Sequence, residues 1–243
     1  MFTFHNLTIL GTHHVSAESA NAIKHTFATL APKHICVELD KGRLQGLLSH
    51  EKPKISARLI PRIGLFGFLF LLVGRYVQKK FGKIARLEPG VDMKTAVDLA
   101  RTNGLRLGLI DRPIEQTLRR MSQQFTFKEK MRLTYDLTIG FIFGKKVKID
   151  MKTVPDSDVL TQVLSAVKDR YPSFYNVLID ERDYYMAQRL WILHQKFPTE
   201  NLLAVVGAGH EPGIKRYLEL FAKQSKNNPP EIKGGEFKNI QVK

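Results

Sequence analysis

The chain has 243 residues, 43% hydrophobic and 25% charged, the make-up of a soluble globular protein with room for one substantial α/β domain or two small ones. Its single cysteine, Cys36, excludes an internal disulfide framework and any cysteine-based zinc cluster. The net charge of +15 would draw nucleic acid, anionic lipid or an acidic partner, but the absence of zinc fingers, basic-region heptads and RNP aromatics argues against nucleic acid.

The sequence opens directly on an apolar strand pattern, with no basic leader before a signal-type core, so a cytoplasmic location is the expectation. Residues 7–10 read as a short buried strand and Gly11 as a turn residue. Ser16 stands at an N-cap position, and Ala20, Ile23, Phe27 and Leu30 follow at helical spacing, which predicts an amphipathic helix over 17–30. His34-Ile-Cys-Val-Glu-Leu39 is the next strand, ending at Glu38 and Asp40. Strand, helix and strand in this order predict a βαβ unit with parallel strands.

A short helix is expected at 41–48. The stretch 50–90 then breaks the rhythm with an apolar run, Ile63–Val73, bracketed by Arg62 and Arg75 and followed by Lys79, Lys80, Lys83 and Arg86. The run is shorter than the ~20 residues of a membrane-spanning helix. It reads first as an inner helix or lid within a helical insertion, and second as a peripheral contact with an anionic membrane surface. A helix over 92–101 leads to a third strand, 105–110, which ends in Asp111-Arg112-Pro113. Helices follow at 114–121, 128–141, 158–167 and 180–195, then a strand at 202–206, Gly207, and a last helix with Pro212 in its first turn. The organisation expected is one α/β domain over 1–223, with a helical insertion at about 50–90 and a flexible tail at 224–243. Its sheet should be largely parallel with flanking helices.

In a parallel α/β sheet, ligands bind at the carboxyl edge of the strands. The unusual polar residues fall there: His13 and His14 after the first strand, Glu38 and Asp40 after the second, Asp111 and Arg112 after the third, and His210 after the last. Gly11-x-x-His14 and Gly207-x-x-His210 repeat one pattern, a glycine that lets the chain leave a strand and a histidine three residues on. A helix N-terminus beside each histidine favours the neutral imidazole, able to act as base or metal ligand. Arg182 lies on the helical stripe of Ile179, Met186, Leu190 and Leu193. An arginine there either snorkels to the surface or needs a partner: a salt bridge to Asp111 or the neighbourhood of Glu181, or a substrate oxyanion or carboxylate. The sequence carries no Gly-x-Ser-x-Gly elbow, phosphate loop, dinucleotide fingerprint or His-Glu-x-x-His helix, and Cys36 falls within a buried strand.

Six segments taken together, Gly11-Thr-His-His14-Val-Ser, Val37-Glu-Leu-Asp40, Glu88-Pro-Gly-Val-Asp-Met93, Ile110-Asp-Arg-Pro-Ile114, Glu181-Arg-Asp-Tyr-Tyr-Met-Ala187 and Val205-Val-Gly-Ala-Gly-His210-Glu-Pro-Gly-Ile214, resemble the TraB/PrgY family of pheromone-shutdown-like proteins, related to Tiki metalloproteases and GumN-like proteins. The resemblance runs from about residue 7 to 222. It implies an erythromycin-esterase/ChaN-like (Tiki-like) architecture and a metal-dependent, peptidase-like site. By position, its two Gly-x-x-His motifs, glutamate and late arginine fall on His14, His210, Glu38 and Arg182. A divalent ion, manganese or cobalt before zinc, would be held by His14, His210 and Glu38, or Glu38 would be the general base with Arg182 on the oxyanion. His13, Asp40, Asp111 and Arg112 would then line the substrate side.

Two departures stand out: His13 where relatives often carry a small residue, and Asp92 where many have glutamate. The pheromone-shutdown proteins also carry C-terminal membrane spans with no counterpart in this sequence. The function expected is hydrolysis of a peptide or related amide. The alternative is capture of a peptide or small anionic ligand in the same cleft without turnover. The oligomeric state is not legible.

Overall fold

The computed structural model describes residues 1–12, 17–49, 56–85, 90–142 and 165–227. Five strands form one sheet: β1 (Phe2–Phe4), β2 (Leu7–Thr12), β3 (His34–Val37), β4 (Arg106–Leu109) and β5 (Leu202–Gly207). Their spatial order is β1-β2-β5-β3-β4. β1 runs antiparallel to β2, and every other pairing is parallel. The largely parallel α/β sheet predicted from the strand–helix alternation is therefore the architecture found. The helices are α1 (Ala17–Leu30), α2 (Lys41–Ser49), α3 (Ile60–Ala85), α4 (Val91–Thr102), α5 (Ile114–Gln124), α6 (Phe127–Ile142), α7 (Pro172–Tyr175), α8 (Glu181–Lys196) and α9 (Glu211–Asn227). Residues 165–170 are also helical, whereas 158–164 of the expected helix and the tail beyond 227 lie outside the described residues.

The chain divides into two compact units, one formed by Met1–Lys54, Leu87–Ile114 and Ile179–Lys243, the other by Ile55–Arg86 and Glu115–Leu178. In the first, the sheet is covered on both faces. Leu202, Ala204 and Val206 of β5 point with Leu7 and Ile9 into a cluster with Met186, Leu190 and Trp191 of α8 and Ile214 and Leu218 of α9. Leu203 and Val205 point the other way, onto Ile35, Val37, Ile23 of α1 and Met93, Ala96 and Val97 of α4. This alternation explains why β5 reads as an unbroken apolar run: a two-sided sheet buries both sets of side chains. Each fully buried leucine, isoleucine or valine contributes about 1.5–3 kcal/mol relative to exposure.

Gly11 departs from expectation. It lies inside β2, paired with Val206, not in a turn after the strand. Its amide donates to a Glu211 carboxylate oxygen at 2.9 Å, and a Cβ there would run into that carboxylate. Close approach, not a turn, is what excludes a side chain. Gly207, by contrast, is the last residue of β5 and leads into the turn at 208–210, as expected.

The second unit is helical. α3, α5, α6 and α7 enclose Met121, Phe125 and Val177, with Phe66, Phe70, Leu133 and Phe174 packed against them. The apolar run Ile63–Val73 lies within α3, which is broken at Gly64 by a left-handed φ of 75°. Ser122 Oγ seals that break, accepting from the Gly67 amide at 2.6 Å and donating to the Ile63 carbonyl at 2.7 Å. Glu129 accepts from the Thr126 amide at 3.0 Å and the Ser173 amide at 2.8 Å, tying α6 to α7. Among the described residues no helix is long and apolar enough to cross a membrane.

Candidate functional site

Because β2, β5, β3 and β4 are parallel, their carboxyl ends share one edge of the sheet. The ladder continues briefly past the strand ends, through the Glu38 amide to the Val205 carbonyl at 3.2 Å and the Ala208 amide to the Thr12 carbonyl at 2.8 Å. These bonds hold the polar residues that follow each strand against one another. Glu38, Asp111 and His210 are all buried there.

His210 closes a turn in which its amide donates to the Gly207 carbonyl at 2.9 Å, and its own carbonyl accepts from the Ile214 amide at 3.0 Å as α9 begins. Its ring is held between two carboxylates. Nδ1 lies 2.5 Å from Asp183 Oδ1, and Nε2 lies 3.4 Å from Glu38 Oε1. Asp183 reaches the ring because residue 213 is glycine: a Cβ on Gly213 would occupy the space of the Asp183 carboxylate. The other Glu38 oxygen accepts from the Gly207 amide at 2.6 Å.

Arg182 is partly buried, with its side chain 15% exposed, and bridges the site. It donates to Glu38 Oε1 and to both Asp111 oxygens, through Nε at 3.1 Å and Nη2 at 2.6 Å. The salt bridge to Asp111, one of the two partners anticipated for this arginine, is thus present, and Glu38 is added to it. Arg43 of α2 also pairs with Asp111, and with Asp40 through Nε at 2.9 Å. Asp40 further accepts from the Ile114 amide at 3.1 Å and orients Arg43. Arg112 pairs with Glu181 at 2.7 Å. These two residues help to line a cleft of about 320 Å³ with Tyr184, Tyr185, Gln188 and Tyr217. Glu181, Tyr184, Tyr185 and Gln188 recur at helical spacing along one stripe of α8.

The charges are tuned in opposite directions. Burial would raise the Asp111 carboxyl, but Arg182 and Arg43 outweigh it and hold it at about 2. Burial likewise works against ionisation of Glu38, yet His210, Arg182 and the Gly207 amide bring it below its ordinary value. At Asp183 burial prevails over the His210 contact, and its carboxyl is raised. One imidazole therefore touches a carboxylate that ionises easily and another that holds its proton longer. Such a divergence is the usual arrangement for assigning acid and base roles.

Sequence reasoning pointed to Glu38, Asp111, Arg182 and His210, and the fold brings these four together. His13 and His14 lie outside the described residues. Asp183 and Arg43 were missed. The signal for Asp183 was its position three and seven residues before Met186 and Leu190, which makes it an acid on the buried stripe of α8. Asp92, noted above only as a departure, is buried at the start of α4, where it accepts from Thr12 Oγ1 and from the Met93 amide at 2.8 Å.

One donor pair has the spacing of two metal ligands, although its Glu38 oxygen also accepts from Arg182. Two ligands held at about 2.1 Å in tetrahedral geometry stand about 3.4 Å apart, the separation of His210 Nε2 from Glu38 Oε1. A carboxylate behind the far ring nitrogen, as Asp183 provides, is the usual support of a metal-ligating histidine. Among the described residues no group of three metal-competent side chains is gathered, and the third ligand implied by the resemblance, His14, is not among them.

The model of the TraB/PrgY/gumN family matches residues 3–227. The chain belongs to this family. An uncharacterized protein of the archaeon Methanocaldococcus jannaschii is 35% identical over 222 residues, covering 88% of this chain and 53% of the relative. The chain thus spans about half the length of that relative. TraB domain-containing proteins of human and mouse are each 24% identical over 265 residues, covering 97% of this chain and 69% of theirs.

Proposed function

We propose that this TraB-family chain is a metal-dependent hydrolase acting on a peptide or related amide at the carboxyl edge of its sheet. The observation that carries the reading is His210 held between Asp183 and Glu38, with Arg182 on the same Glu38 oxygen. A divalent ion, manganese or cobalt before zinc, would be held by His14, His210 and Glu38 and would supply Lewis acidity toward the scissile carbonyl. The Asp183 carboxylate fixes the His210 ring and directs Nε2 toward Glu38. If Glu38 is instead left off the ion, its carboxylate, kept ionised by His210, Arg182 and the Gly207 amide, would be the base that accepts a proton from the attacking water. Arg182, held in place by Asp111, offers guanidinium donors to the oxyanion.

The test compares metal content and turnover of a mixed peptide library for protein purified without chelator. Wild type should bind manganese or cobalt and cleave, Glu38→Gln should bind less metal and lose turnover, and His14→Ala with His210→Ala should lose both. Equal, negligible metal in wild type and the double variant would sink the metal assignment.

The tyrosine-lined cleft beside Arg112 favours a second reading, capture of a peptide or small anionic ligand without turnover. It is supported by ligand-dependent thermal stabilisation with the ligand recovered intact, since binding to the folded state alone raises stability by mass action. Multiple turnover of a bound peptide excludes it.

A further inference from the structure

The hydrolase reading leaves the helical unit unused, and that unit is distinctive in two ways. The first is charge. The segments Ile55–Arg86 and Glu115–Leu178 hold 18 lysines and arginines against 7 aspartates and glutamates, so +11 of the chain's net +15 belongs to them. The second is exposed apolar surface. On α3, Ile63 and Gly67 are buried and Phe66 and Phe70 pack into the core, while Leu65, Leu69 and Leu72 stand outside at exposures of 63%, 46% and 41%. On α6, Glu129 is buried and Leu133 packs inward, while Phe127, Met131 and Tyr135 stand outside at 78%, 57% and 63%. Spacings of three and four residues make each set a stripe along one helix face.

Two apolar stripes in one small helical unit exceed the scattered exposed leucines of an ordinary surface. Exposed Arg58 and Arg62 precede the α3 stripe, and exposed Lys128 lies beside the α6 stripe. A second copy of the chain would bring +11 against +11, which opposes self-association through this unit. A nucleic acid would satisfy the charge but not the leucines and phenylalanine. An anionic bilayer satisfies both: its headgroups attract the lysines and arginines, and its acyl boundary accepts the apolar side chains.

We propose that the helical unit docks onto anionic membrane surfaces through Leu65, Leu69 and Leu72 of α3 and Phe127, Met131 and Tyr135 of α6. The contact is peripheral. It depends on lipid charge, and it weakens as salt screens the unit's cations.

The test is co-sedimentation of the full chain with phosphatidylcholine vesicles, with and without phosphatidylserine. Wild type should pellet at least about tenfold more with the anionic vesicles, and raised salt should reverse this. Leu65→Glu with Leu69→Glu, and separately Phe127→Glu with Met131→Glu, should lower anionic binding by about tenfold. These positions are exposed, so circular dichroism and the thermal midpoint should match wild type. The proposal is overturned by equal pelleting with neutral and anionic vesicles, or by both variants pelleting like wild type. It is equally overturned by a vesicle-free dimer, seen by light scattering, that the same substitutions disperse.

Discussion

The two units handle charge in opposite ways. At the sheet edge of the α/β unit, Glu38, Asp40 and Asp111 are buried and matched by Arg43 and Arg182 in one connected network. In the helical unit the cations outnumber the acids by more than two to one, and large apolar side chains face outward. A buried, matched network is costly to assemble and costly to break, so its members are fixed by one another. A surface with a net excess of one charge tolerates change within the fold and acts mainly toward something outside it. The contrast is the ground on which the two proposals place chemistry in the first unit and contact in the second.

The comparison can be broken most sharply at Arg182. Arg182→Met leaves Glu38 and Asp111 buried without their shared cation, and should cost about 3–5 kcal/mol, read from urea unfolding with unchanged slope. A loss below about 1 kcal/mol would mean that the network is far better solvated than its burial implies. Next in size is the acid limb. The Asp111 carboxyl is held at about 2, below its ordinary 3.8, so its contribution is complete above that ordinary value and is lost as pH falls toward about 2. The shift corresponds to about 2 kcal/mol. Wild type should lose that much between about pH 4 and about pH 2, and Asp111→Asn should flatten this part of the profile in a series of urea midpoints. The smallest effect belongs to the helical unit. Leu65→Ser should change stability by no more than about 0.5 kcal/mol in the same assay, because the leucine is exposed and directly follows the break of α3 at Gly64.

Much of this arrangement was legible because the parallel sheet gives a strong signal. Buried strands such as Leu202–Val206 are unbroken apolar runs, and their ends are marked by polar residues that have no other reason to interrupt them. That is why Glu38, Asp111 and His210 could be gathered from sequence. The strand Phe2–Phe4 was not read, because three residues are too few for a period and their pairing to β2 is long in consequence but short in pattern. Asp183 was overlooked because attention fell on its neighbour Arg182, and two adjacent charged residues on a helix normally face different surroundings. Here both are drawn inward, one by acids and the other by an imidazole. Gly11 was misread because a glycine after an apolar run is usually a turn. What crowds a side chain at Gly11 is the Glu211 carboxylate and the Ala208 backbone, about two hundred positions away, and no local pattern can report them.

That last contact has a genetic corollary. Gly11 belongs to the first Gly-x-x-His motif, and Glu211 directly follows the histidine of the second, so the hydrogen bond between them fastens the two motifs together. Gly11→Ala alone should destabilise the protein by driving a methyl group into the Glu211 carboxylate. Glu211→Ala clears the carboxylate but leaves the Ala208 Cα 3.1 Å from the added methyl and removes the acceptor of the residue-11 amide, so the double variant should recover only part of the loss. Substitutions at residue 211 should therefore act as partial suppressors of Gly11→Ala, with full rescue barred by the Ala208 backbone.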